Sequence, residues 1–210
     1  MNKLGDLSCN EFLTELASAA PAPGGGGGAA MAGALAAALA SMVANLTIGK
    51  EKFAECEPEV KELLKQAEAE RVRLLTLVDE DAAVFNSFMS CYKLPKTTDE
   101  EKAARTAAIR AAAKQAATVP LNIARSSFAV LKLADRLVVS GNPGVITDAA
   151  CSGLLARAAL RCAEYNVRIN LGLTKDEVWN AQAAADLKKL LADAEALETR
   201  LLAVTDKALQ

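Results

Sequence analysis

Residues 21–48 read PAPGGGGGAAMAGALAAALASMVANLTI, and no other stretch restricts the fold as much. Five consecutive glycines, Gly24, Gly25, Gly26, Gly27 and Gly28, run into alanine, leucine and methionine, and no charged residue occurs between Glu15 and Lys50. The pattern reads as a flexible glycine loop feeding a helix N-terminus. Glycine lets a backbone approach a ligand or another chain closely, and a helix start presents unpaired N–H groups that favour an anion. With alanine or glycine at most positions, the helix can lie unusually near its neighbours, which places it in the middle of a bundle.

Three plainer readings compete. A nucleotide P-loop needs a preceding strand and a lysine followed by Ser or Thr closing the glycine run, whereas Ala29, Ala30 and Met31 follow here. A membrane span needs about twenty apolar residues, a length this segment reaches. Its alanine and glycine are barely apolar enough to insert, no aromatic belt flanks it, and no second span follows. A purely structural loop would use the same glycines for close helix packing alone.

Composition narrows the class. The hydrophobic fraction of 52% is carried by alanine and aromatics make up only 4%, which suits closely packed helices better than sheets. At 210 residues, with no internal boundary, the reading is one all-α domain over 1–210, a multi-helix bundle around a long Ala/Gly-rich helix. A net charge of −2 with dispersed Lys and Arg gives no footprint for nucleic acid or a membrane surface. Cys9, Cys56, Cys91, Cys151 and Cys162 are odd in number, scattered and without a CxxC pair, which points to reduced thiols in the cytoplasm. There is no histidine, so the usual metal ligand and the usual general base are both missing. The acids Asp6, Glu11 and Glu15 near the start do not resemble a secretory signal.

In chain order, residues 6–19 form a short amphipathic helix with Asp6 or Ser8 as cap and Glu11 three residues after Ser8; it stops at Pro21. The central helix follows and ends near Gly49. Residues 58–91 carry the clearest period, with Val60, Leu63, Ala67, Leu74, Leu77, Val78 and Phe88 recurring at three and four. Asp81 lies three residues after Val78 and four before Phe85, so it points with the apolar stripe and is expected to be partly buried. Pro95 breaks the helix and Thr98 or Asp99 caps the next, residues 100–137, which Pro120 should kink or divide, a bend able to open a pocket. Asn142 and Pro143 read as cap and first position of a helix with Asp148 in its first or second turn, and Thr174 as cap of the last.

Asp81 and Asp148 are the best acid/base pair available. A desolvated carboxylate has a raised pKa suited to proton transfer, while one near a helix N-terminus is held ionised. The competing readings are a buried hydrogen-bonded acid for Asp81 and a helix-dipole acid for Asp148. Asn45, an amide among apolar neighbours, needs partners that a substrate could supply. Lys50 could meet an anion or merely complement the helix end, and Tyr92 is a candidate pocket rim.

The run Pro21 to Gly26, Asn45 to Lys50, Asp79-Glu80-Asp81-Ala82 with Phe85, Tyr92-Lys93-Leu94-Pro95-Lys96, and Gly141-Asn142-Pro143 with Asp148 together resemble the cyclodeaminase/cyclohydrolase family. This is the domain at the C-terminal end of formiminotransferase-cyclodeaminase, found alone as methenyltetrahydrofolate cyclohydrolase. The resemblance covers nearly the whole chain in order. Many relatives close the glycine run with serine where this chain has Gly27, so no hydroxyl role carries over. The family implies an all-helical homodimer acting on a folate with an anionic glutamate tail, with no metal and no cofactor beyond that substrate. It implies hydrolysis of 5,10-methenyltetrahydrofolate to 10-formyltetrahydrofolate, and on that reading the residues singled out here are Asp148 and Asp81 as catalytic acids and Gly24, Gly25, Gly26, Gly27, Asn45, Lys50, Tyr92 and Asn142 as substrate-binding candidates. The alternatives are formiminotetrahydrofolate cyclodeaminase, which expels ammonia, and a non-catalytic helical homo-oligomer that binds folate or an anion.

Overall fold

The structure is a computed structural model and describes residues 3–210. Among the described residues there are six α-helices and no strand: α1 (Cys9–Leu16), α2 (Gly25–Asn45), α3 (Glu57–Cys91), α4 (Asp99–Ser140), α5 (Ile146–Thr174) and α6 (Glu177–Ala208). The all-α reading therefore holds. Local sequence explains most of the boundaries. Ser8 and Glu11 form a reciprocal capping box on α1, as do Thr98 and Glu101 on α4, each satisfying first-turn N–H groups that have no helical acceptor.

Three boundaries differ from the sequence reading. The glycines are not a loop: Gly24 is the cap and Gly25 to Gly28 already form the first turn of α2, which lies against α3 at Gly26, where a side chain would meet the Asp81 carboxyl. Pro120 does not divide its helix, which runs unbroken to Ser140. Thr174 is the last residue of α5 and not a cap; Lys175 turns the chain at φ 56° and Asp176 caps α6, accepting the Trp179 N–H at 3.0 Å.

α2 packs on α3, α5 and α4, while α4 and α5 share the most extensive contact in the molecule and α6 closes over both. The buried face of α2 is Ala29, Ala30, Ala36, Ala37, Ala40 and Val43. Such short side chains let three neighbouring helices approach its backbone. The opposite face is open, with Leu35 52%, Met42 43% and Leu46 36% exposed. The helix is thus largely buried, with one face left exposed. It is also long and apolar enough to cross a membrane by length and composition, yet most of it is buried among the other helices. A buried Asp135 on α4, paired with Arg200, ties α6 to the bundle.

The N-terminal turn Leu4–Asp6 is held by α3: Asp79 Oδ1 accepts the Leu4 N–H at 2.6 Å and the Gly5 N–H at 3.4 Å. Replacing Asp79 with Ala should cost about 1 kcal/mol and lower the melting temperature by about 2–4 °C. Amide hydrogen exchange should show lost protection confined to Leu4 and Gly5; unchanged protection there would remove Asp79 from this role.

Candidate functional site

Where α2 begins, its first turn, the middle of α4 and the C-terminal halves of α3 and α5 enclose a cavity of about 310 Å³, near the lower end of the size that holds a small organic ligand. Pro21, Ala22 and Gly24 to Gly26 form one wall, and Asp81, Val84, Phe85 and Phe88 of α3 another. Ala116, Val119 and Pro120 come from α4, and Asn166, Ile169, Asn170 and Leu173 from α5. The walls are mainly apolar, with one carboxyl and two amides.

Asp81 and Gly26 determine each other. A side chain on Gly26 would fall inside contact distance of the Asp81 carboxyl, which would then have to move. Burial pushes the Asp81 carboxyl above the usual carboxylate range, partly offset by the Gly27 backbone N–H, which favours the charged form. The α3 periodicity foretold this partial burial. Gly28 donates to Gly24 at 2.9 Å, which leaves the N–H groups of Gly25, Gly26 and Gly27 without helical acceptors beside the cavity.

Tyr92 stands one turn beyond Phe88, its ring edge-on at 5.3 Å, with Arg105 over its other side at 5.5 Å. It is 43% exposed and flanks the cavity wall without lining it.

The remaining expected residues lie elsewhere. α2 is about 30 Å long and α5 carries Asp148 about 27 Å along its axis from Asn166, so Asn45, Lys50, Asn142 and Asp148 gather at the far end of α2. The chain therefore does not bring Asp81 and Asp148 together, nor Lys50 and the glycine turn. Asn45 was expected among apolar neighbours but is exposed, since α2 leaves the core at its last turn. Asn142 is engaged in holding the fold: its N–H donates to Thr47 Oγ1 at 2.8 Å, its Nδ2 to Leu46 O at 3.1 Å, and its Oδ1 accepts from Gly144 at 3.0 Å. Asp148 sits partly buried in the first turn of α5.

Asn166 and Asn170 escaped the sequence reading. Two amides four residues apart on an otherwise apolar helix face were the available signal. Among the described residues no group of three or more Cys, Asp or Glu is placed to hold a metal ion.

The family model for formiminotransferase-cyclodeaminase matches residues 8–189. The chain belongs to that family. It is 45% identical over 197 residues to a methenyltetrahydrofolate cyclohydrolase of Methylorubrum extorquens, covering 94% of this chain and 95% of that one. It is 33% identical to the formimidoyltransferase-cyclodeaminase of Sus scrofa over 88% of this chain, which is 34% of that longer protein. The crystal structure of a formiminotetrahydrofolate cyclodeaminase from Thermotoga maritima superposes with a TM-score of 0.88 at 29% identity, covering 98% of both chains. The glycine turn, the buried acid and the two amides are therefore held in a fold shared with a cyclodeaminase.

The raised Asp81 pKa has a sign that can be measured. The folded state holds this proton more tightly than the unfolded one, so the contribution of Asp81 is most favourable below about pH 3.9 and is lost as pH rises through the folded pKa. Asp81→Asn should therefore gain stability over the parent as pH is raised from 4 to 7, read from paired urea unfolding curves. A gain that shrinks with rising pH would reverse the assignment.

Proposed function

We propose that this chain hydrolyses 5,10-methenyltetrahydrofolate to 10-formyltetrahydrofolate at the Asp81 cavity, as a cytoplasmic homodimer built from one catalytic domain. The 45% identity to a methenyltetrahydrofolate cyclohydrolase along nearly the full length of both chains carries this reading. The cavity supports it, because an apolar pocket with one partly desolvated carboxyl, its pKa raised by burial, suits a cationic planar substrate and proton transfer.

The bridging carbon of the substrate is an amidinium-like cation, and a carboxylate beside it stabilises that charge. As water oxygen bonds to this carbon, Asp81 takes one of its protons. Asp81 then gives that proton to N5 as the carbon–N5 bond breaks and its electron pair returns to N5. The hydroxyl proton leaves to a second base as the formyl C=O forms, so the reaction releases one proton overall. No cofactor beyond the folate enters this scheme.

The second base would be Asp148 of the partner subunit. The open face of α2, continued on α5 by exposed Leu154, Tyr165 and Ile169, offers apolar surface for a twofold contact. Two copies of α2 running antiparallel across that face would set the Lys50 and Asp148 end of one subunit over the glycine turn of the other. Lys50 and the glycine turn would then meet polar or anionic parts of the ligand, with Tyr92 at the rim.

Formiminotetrahydrofolate cyclodeaminase activity is the second reading, favoured by the fold shared with the Thermotoga maritima enzyme. Loss of methenyltetrahydrofolate absorbance above the spontaneous rate, with no ammonia from the formimino substrate, is the expected result. Ammonia release would select the second reading, and silence in both assays would leave a binding protein. Asp81→Asn should lower kcat by about 10²–10⁴-fold. If the site is shared, mixing inactive Asp81→Asn and Asp148→Asn chains should restore about a quarter of wild-type activity through heterodimers. No recovery after unfolding and joint refolding would place the whole site within one subunit.

A further inference from the structure

α4 passes through Pro120 without interruption. Proline has no N–H, so the carbonyl of Ala116, four residues earlier, has lost its helical donor, and the proline ring crowds that carbonyl. Asn170 on α5 supplies the missing donor. Its Nδ2 lies 3.0 Å from Ala116 O and 2.8 Å from Asn166 O. Both acceptors are carbonyl oxygens without hydrogen, so the NH₂ end of the amide must face them and Oδ1 must face away.

Pro120 and Asn170 both line the cavity. Among the described residues the side-chain hydrogen bonds of Asn170 are those two, which leaves Oδ1 as an acceptor without a donor. The neighbouring Asn166 is held by its Nδ2 bond to Cys162 O at 2.9 Å. An amide free to rotate presents either a donor or an acceptor; this one is held to the acceptor.

We propose that Pro120 is a positioning residue: by leaving the Ala116 carbonyl without a helical donor it gives Asn170 Nδ2 a second acceptor beside Asn166 O, and the amide held between the two keeps Oδ1 as a fixed acceptor for an N–H group of the ligand. A reduced pterin carries such donors along its ring edge, and this identification rests on the folate reading of the cavity. The lock selects a ligand donor over a ligand carbonyl, which would meet Oδ1 unpaired.

Three variants of the full chain test this: Asn170→Ala, Pro120→Ala and the two combined, each melted and each assayed for methenyltetrahydrofolate hydrolysis. Asn170→Ala strands the Ala116 carbonyl, so its melting temperature should fall, and KM should rise by about tenfold. Pro120→Ala restores the N–H at position 120, so the melting temperature should hold, while the amide, left with Asn166 O alone, is less firmly held and KM rises by about three- to fivefold. The double variant should recover the stability lost in Asn170→Ala but keep its high KM. A double variant as unstable as Asn170→Ala overturns the lock, and an unchanged KM in Asn170→Ala overturns the acceptor. Absence of both hydrolysis and ammonia release by the wild-type chain overturns the folate reading and the ligand half of this inference together, while the melting cycle still decides the lock.

Discussion

The approach of the first turn of α2 to Asp81 on α3 is the contact on which the arrangement of the cavity depends. A side chain at Gly26 would occupy the space of that carboxyl. The glycine run therefore does two things at once: it brings a helix start, with its unpaired N–H groups, against an acid, and it keeps that acid away from water. The first favours the ionised carboxylate and the second disfavours it. Burial is the larger effect on Asp81, and its pKa is raised.

The same economy of side chains extends along α2. Alanines facing inward give the three neighbouring helices a backbone to pack on, and what they lose in buried area per residue they recover through closeness. The outward face keeps its larger apolar residues, Leu35 and Met42, in the open. Such a helix, apolar all round, leaves one apolar face exposed on this chain.

Helix α4 shows how a local defect can be used. Pro120 removes a backbone donor in the middle of a 42-residue helix, a loss that ordinarily weakens or breaks a helix. Here a neighbouring helix supplies the donor through Asn170, so the helix continues and an amide in the cavity wall acquires one orientation. The proline, read by itself, suggested a bend or a break; the repair comes from a residue 50 positions away in sequence, which no local rule can supply.

The sequence by itself determined the class, the helices and the family. Alanine-rich composition, three- and four-residue periodicity and the Ser8 and Thr98 caps are local properties, and local hydrogen bonding and burial decide them. The partial burial of Asp81 followed from its place on the α3 stripe. Tertiary structure alone decided that the glycines are a helical turn, because only the proximity of α3 reveals why side chains are excluded there. It alone separated Asp81 and Gly24 to Gly26 from Asn45, Lys50, Asn142 and Asp148, since helix lengths of about 30 Å put the two groups at opposite ends of one subunit. It alone brought Asn166 and Asn170 to the cavity, because which face of α5 meets α2 and α4 depends on the packing of the whole bundle.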